Sequence, residues 1–209
     1  MGTKCPGIRK RGGASTEENE KAIDKRKLIL NEAVRLFYEK GYDNTSIRTL
    51  AEATGLSVAG IYYFFQDKEE ILFEILKQSG EDLIESVSGS FDQTVAPDIS
   101  LRRTVRDMLE HSVDHNKDLV ILSREINRLS EDRQMVIQEA KRKAYDLVKL
   151  GFMRFCEQER MRKEDVVLAS FTLLSEATWF ARWYKPGGRL DLDHFSERIT
   201  DMLLRGLIS

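Results

Sequence analysis

Apolar residues recur at every third or fourth position along most of the chain, which predicts helices rather than strands. The first such stripe begins near Lys25 and ends at Gly41, a residue type that commonly terminates a helix. Two short helices are predicted next, over 46–53 and 58–64. Gly55 separates them and can adopt the positive φ that a tight turn requires.

Longer helices account for the remainder. After a connection over 89–99 that contains Pro97, the helical spacing of apolar residues resumes and continues almost to the last residue. The predicted helices run from Asp67 past Leu83, then over 101–112, 119–129, 130–159, 164–184 and 193–207. No segment shows sustained strand alternation and no internal repeat is present, so we predict an all-α fold.

Charge is distributed unevenly along the 209 residues, although the net charge is only -2. Residues 1–68 contain 12 basic and 9 acidic side chains, and the remainder contains 21 basic and 26 acidic ones. A basic N-terminal part (the head) followed by an acidic remainder (the body) suggests that only the head binds a polyanion. Cys5 and Cys156 form no Cys-x-x-Cys motif, which argues against a zinc or redox site and fits a reducing cytoplasm.

Two short helices joined by a tight turn form a helix-turn-helix unit. Ala51 lies where these helices should cross closely, and Gly55 follows four residues later at the turn. Ile61 comes six residues after that and should seal the next helix onto the other two. The opposite side of that helix is then free to enter a DNA groove.

The run from Lys27 to Ile71 resembles the DNA-binding domain of TetR-family transcriptional repressors. It includes ILNEAVRLFYEKGYDNTSIRTLAEATGLSVAGIYYFFQDKEEI, which matches the family at many positions. The resemblance implies a dimeric, ligand-responsive regulator, usually a repressor, that binds palindromic double-stranded DNA. We therefore expect a disordered basic arm over 1–20, a helix-turn-helix domain over 21–68, and a larger helical domain for ligand binding and dimerisation over 69–209.

The same resemblance implies DNA-contacting positions in the head. Hydroxyls and a lysine would contact phosphates or base edges, and the start of the third helix would lie at the floor of the major groove. These residues are Thr45, Ser57, Val58, Ala59, Gly60, Tyr62, Tyr63 and Lys68. Val58 cannot donate a hydrogen bond and Gly60 has no side chain, so we expect some reliance on DNA shape.

The last two predicted helices carry more apolar surface than one small core needs. We expect them to form a four-helix bundle with a second copy of the chain. The expected interface residues are Phe171, Leu174, Phe180, Phe195, Ile199, Met202 and Leu203. The alternative is that these side chains are buried only within one chain.

The helices over about 70–165 are expected to surround a small hydrophobic effector. The stretch WFARWYKPGGRLDLDHFSERITDMLLRGL is similar to the C-terminal end of TetR-type regulators of fatty-acid and sterol-ring catabolism, several of which respond to acyl-CoA thioesters. Apolar and cationic residues suited to such a ligand are Met108, His111, His115, Arg124, Arg128, Trp179, Arg182 and Trp183. The alternative is that the arginines pair with Glu125, Glu131 or Glu176 and that the tryptophans pack the core.

Other classes of function have less support. His111 and His115 are spaced to share a divalent metal, but no third ligand is evident, so we expect no metal. No catalytic or cofactor-binding motif is present, and we expect neither enzymatic activity nor a cofactor. The N-terminus has no apolar stretch typical of a signal peptide and the chain no membrane span, so we expect a cytoplasmic protein. The alternative functions are a helical interaction module or an enzyme, either of them without a DNA role.

Overall fold

The computed structural model describes residues 14–90, 94–159, 162–189 and 191–207, and within these ranges it consists of helices joined by short loops. The helices, in chain order, are α1 (Ala14–Lys40), α2 (Ile47–Thr54), α3 (Val58–Phe64), α4 (Lys68–Ser90), α5 (Pro97–Asp114), α6 (Asn116–Glu125), α7 (Glu131–Glu159), α8 (Lys163–Trp183) and α9 (Leu192–Leu207). A 3₁₀ turn, Ile126–Arg128, joins α6 to α7.

Helix α1 begins earlier than the apolar pattern predicts. The expectation of a disordered arm over 1–20 is wrong for residues 14–20, which are helical, and residues 1–13 lie outside the described ranges. Polar residues dominate the first turns, so no apolar stripe marks them in the sequence. Helix α5 also begins earlier, at Pro97, because proline fits the first turn of a helix, where its missing N–H has no partner to lose.

Two apolar cores divide the molecule into a head and a body. The head core joins α1, α2 and α3 through residues such as Phe37, Leu50 and Ile61. The body core joins α5, α7, α8 and α9, with Met108 and Phe152 fully buried at its centre.

Helix α4 belongs to both cores and connects them. Its first half buries Ile71, Leu72 and Ile75 in the head core, whereas Val87 near its end lies in the body core. Ile121 of α6 and Ile137 of α7 also pack into the head core. Helix α7 therefore resembles α4 in contributing buried side chains to both cores, since Val148 and Phe152 of α7 lie in the body core.

Candidate DNA-binding surface and effector domain

The turn between α2 and α3 has the geometry that the sequence predicts. Gly55 has φ +69° and its N–H donates to the carbonyl of Ala51, which closes α2. Ser46 caps the start of α2 by accepting a hydrogen bond from the Thr49 N–H at 3.0 Å. Ser46 is thus the N-cap of α2, with its side chain in place of the missing backbone acceptor.

Helix α3 is held on one side and open on the other. Ile61 and Phe65 are buried in the head core, whereas Tyr62 is 51% exposed and Tyr63 is 80% exposed. Val58 and Ala59 are also exposed in the first turn. The open side of α3 therefore presents two phenolic hydroxyls and a small apolar surface to the surroundings.

Ser57 caps α3 and still has a proton to donate. Its hydroxyl oxygen accepts a hydrogen bond from the Gly60 N–H at 3.0 Å. A Cβ at Gly60 would lie 3.3 Å from that same oxygen, so a larger residue would crowd the cap. The absence of a side chain at Gly60 lets the backbone of α3 approach a partner closely.

The expected phosphate contact through the Thr45 side chain is corrected by the structure. Thr45 is fully buried and its hydroxyl donates to the carbonyl of Gly41 at 2.9 Å, a contact within the α1–α2 loop. Arg48, one residue after the first residue of α2, has a side chain that is 84% exposed. Arg48 is not among the residues expected to contact DNA, although an arginine in the first turn of a helix is itself a signal for an anion contact.

Lys68 is likewise directed inward rather than towards a DNA phosphate. Its ammonium donates to the carbonyls of Tyr42 at 2.8 Å and Thr45 at 2.9 Å, and it lies 4.0 Å from the centre of the Tyr42 ring. Partial burial lowers the pKa of Lys68, and burial raises the pKa of Tyr42 to about 12. Lys68 therefore braces the start of α4 against the α1–α2 loop.

Polar contacts also join the head to the segment between α6 and α7. The Glu69 carboxylate accepts the Ser130 N–H at 2.9 Å and lies 3.1 Å from the Arg133 guanidinium. The Ser130 hydrogen bond is the main reason that the pKa of Glu69 is lowered. Arg128 pairs with Asp43 in the α1–α2 loop. We call these contacts the head–body junction.

The residues expected to bind the effector do not converge on one cavity. Met108 and His111 are buried in the body, Arg124 is exposed, and Arg128 belongs to the head–body junction, so its assignment to the ligand pocket is corrected. Arg182 donates to the Ser123 hydroxyl at 2.6 Å and stacks 4.3 Å from the Trp179 ring centre.

His111 and His115 stack with their ring centres 4.2 Å apart. Burial, with a smaller contribution from His115, lowers the pKa of His111 to about 4. His115 lies 3.1 Å from the Asp118 carboxylate, and this hydrogen bond raises the pKa of His115. His115 also lines a cleft of about 520 Å³ between α1, α4 and the α5–α6 corner. Among the described residues, no group of three His, Cys, Asp or Glu side chains is arranged to hold a metal ion.

Large apolar side chains are exposed in a stripe along α8, and another is exposed on α9. Phe171 is 58% exposed and Met202 is 72% exposed, and Trp179 and Trp183 extend the stripe along α8. Phe180 departs from the expected dimer interface because it is fully buried in the body core, with its ring centre 4.7 Å from that of Phe195. The remaining predicted interface residues are partly buried against that core; they are Leu174, Phe195, Ile199 and Leu203.

Both parts of the chain match known families. Residues 29–75 match the model described as bacterial regulatory proteins of the tetR family, and residues 96–207 match a tetracyclin repressor-like C-terminal domain. The chain belongs to the TetR family. TetR-family proteins are DNA-binding transcriptional regulators and not enzymes, so this regulator is not an enzyme. None of its described helices combines the length and apolar character that a membrane span needs.

Relatives of this TetR-family chain include repressors and ligand-bound regulators. The repressor KstR2 of Rhodococcus jostii is 25% identical over 187 residues, which cover 87% of this chain and 90% of KstR2. The crystal structure of PfmR from Thermus thermophilus has a TM-score of 0.77 and 32% identity, covering 86% of this chain and 98% of PfmR. AibR, solved with isovaleryl coenzyme A and operator DNA, has a TM-score of 0.71 and 28% identity, covering 88% of this chain and 98% of AibR.

Proposed function

We propose that this TetR-family regulator is a repressor that binds a palindromic operator as a homodimer and releases it when a small hydrophobic effector binds the body. The single observation that carries the proposal is the open side of α3. Ile61 and Phe65 hold this helix in the head core, while Tyr62 and Tyr63 remain accessible for a DNA groove. Ser57, Val58 and Ala59 complete the contact surface, and Arg48 of α2, which also pairs with Glu52 at 3.3 Å, adds an exposed cation.

A second copy of the chain is the proposed partner for the exposed stripe on α8. One helix-turn-helix contacts few base pairs, and a two-fold dimer doubles them at a fixed spacing. Phe171 and Trp179 would pack against the partner, and the exposed Met202 of α9 would join the same interface. Large apolar side chains in a contiguous exposed group are typical of protein–protein interfaces.

The proposed effector is an acyl-CoA thioester. AibR was solved with isovaleryl coenzyme A, and this chain matches AibR over 98% of its length. Met108 and Phe152 fill the centre of the body, so an acyl chain must displace side chains there. Methionine adapts readily to such a change because its side chain is unbranched and flexible. The resulting shift would reach α3 through α4 and the head–body junction.

The DNA-binding surface is tested by removing one hydroxyl. Operator sequences are first selected from random duplexes, and affinity is then measured by fluorescence anisotropy. The Tyr62→Phe variant removes only the exposed hydroxyl and should weaken operator binding roughly tenfold, the cost of about one hydrogen bond to a charged group. Tyr38→Phe makes the same change on α1 and should bind as the parent protein does. Equal affinities for all three proteins would contradict the proposed surface.

The effector class is tested on the protein–operator complex. Isovaleryl-CoA and longer acyl-CoA thioesters are titrated into the complex, with free coenzyme A as the control. Release of DNA by a thioester, but not by coenzyme A alone, is the expected result. If no acyl chain length changes the operator affinity, the effector is not an acyl-CoA.

A further inference from the structure

Helix α1 extends well beyond the region that matches the family's DNA-binding model. The helix begins at Ala14, whereas the family match begins at residue 29. The additional turns carry Lys21 and Lys25, which are spaced i, i+4 and therefore lie on the same face of the helix.

These two lysines lie beside the open side of α3. A cleft of about 390 Å³ separates the start of α1 from α3, and Lys21 and Lys25 line one wall of it. Gly60 and Tyr63 line the other wall. The first turns of α1 thus run next to the surface that we assign to the DNA groove.

Both lysines are available to an external anion. Lys21 and Lys25 are exposed, and neither forms a hydrogen bond or an ion pair with any side chain that the structure describes. Arg26, the next cation along α1, is instead held by Glu74 at 2.6 Å. An unpaired cation on a folded surface can bind a phosphate without first breaking an internal contact.

We propose that Lys21 and Lys25 bind phosphate groups of the DNA strand that borders the groove occupied by α3. The inference rests on the proposed DNA-binding function and extends the DNA-binding surface beyond the family's matched region. A helix in the major groove has a phosphate backbone on each side of it. Because the start of α1 lies alongside α3, its lysines are placed to meet one of those backbones.

Glu18 makes the proposal more specific. It lines the same cleft one turn before Lys21, and it is exposed. A carboxylate at this place repels the phosphates that the lysines attract. The Glu18→Gln variant should therefore bind DNA more tightly than the parent protein, with the difference shrinking as salt is added.

The test is the salt dependence of operator affinity. Each phosphate contact contributes about 0.9 to the slope of log K against log salt, so the double variant Lys21→Gln/Lys25→Gln should lower the slope by about 1.8. When salt is raised from 50 to 200 mM, both proteins should lose operator affinity, and the factor lost should be roughly ten times smaller for the double variant than for the parent. Glutamine preserves helix propensity, and thermal melting checks that the head remains folded.

A second lysine pair serves as the control. Lys143 and Lys149 lie on α7, about 18 and 27 Å along the helix from the end that meets the head. Their double change to Gln should leave the slope unchanged. Equal slopes for the parent and the Lys21→Gln/Lys25→Gln variant would overturn this inference while leaving the proposed function intact. A parent protein that does not bind DNA would overturn both, and a Glu18→Gln variant that binds no more tightly would count against the phosphate contact.

Discussion

Replacing His111 with leucine should remove a large part of the acid sensitivity of the fold. His111 is only 6% exposed, and its Nε2 has no hydrogen-bond partner among the described residues. The neutral ring is therefore favoured in the folded protein, and the pKa of His111 falls from 6.5 to about 4. Leucine fills a similar volume without a titratable group.

The direction of the effect follows from the lowered pKa. Below the unfolded value of 6.5, the unfolded chain binds a proton at His111 that the folded protein does not bind. The free energy of unfolding therefore decreases as the pH falls from 6.5 towards 4. For a folded pKa of about 4, the loss attributable to His111 between pH 7 and pH 5 is about 2 kcal/mol.

Neighbouring charged groups oppose the effect of burial on the pKa of His111, so the comparison must keep them the same in both proteins. Asp82, Asp114 and Asp118 favour a proton on His111, and the pKa of His115 is raised, so His115 adds stability as it becomes protonated. Urea unfolding of the parent and of His111→Leu at pH 7 and pH 5, at one protein concentration, isolates His111 as the difference between the two. Identical losses of stability in both proteins would refute the buried neutral histidine.

Three further predictions concern the junction, α4 and the dimer. Arg128→Gln should change the free energy of unfolding by less than about 1 kcal/mol, because the pair is exposed, yet reduce effector-induced DNA release in a titration. Gly80→Ala places a Cβ 3.2 Å from Ala140, so it should shift α4 and alter operator affinity severalfold, as measured by anisotropy. Gly89→Ala places its Cβ in open space, so it should raise the free energy of unfolding by about 0.5–1 kcal/mol and leave operator affinity unchanged. Phe171→Glu should yield folded monomers in light scattering; an unchanged dimer would place the interface elsewhere.

The fold of the head could be predicted from the sequence because its helices are short and are marked by a turn glycine and by regularly spaced apolar residues. Gly55 at the turn and Ile61 in the core lie as the sequence indicates. The direction of polar side chains was harder to predict. Thr45 and Lys68 bond to carbonyls of the α1–α2 loop, and these contacts depend on tertiary packing that periodicity does not reveal.

In the body, residue type alone did not predict which side chains are buried and which are exposed. Phe180 and Phe171 are both aromatic residues of α8, yet one is fully buried and the other is exposed, since nine residues amount to two and a half helical turns. The tryptophans that were expected to suit a ligand lie on the exposed stripe instead. Arg128 lies in the head–body junction because the 3₁₀ turn directs it towards Asp43, a pairing separated by 85 residues in the chain.

The central claim is that the two α3 helices of a dimer bind the same DNA duplex. The most direct test is to measure operator affinity while the spacing between the two half-sites is changed. Two copies of the chain should bind each selected palindrome, and inserting about five base pairs between the half-sites, half a helical turn, should abolish that tight binding. Inserting a full turn should restore part of it if the dimer can stretch. Equal affinity for the parent operator, the half-turn insertion and an isolated half-site, with one chain per duplex, would contradict the account.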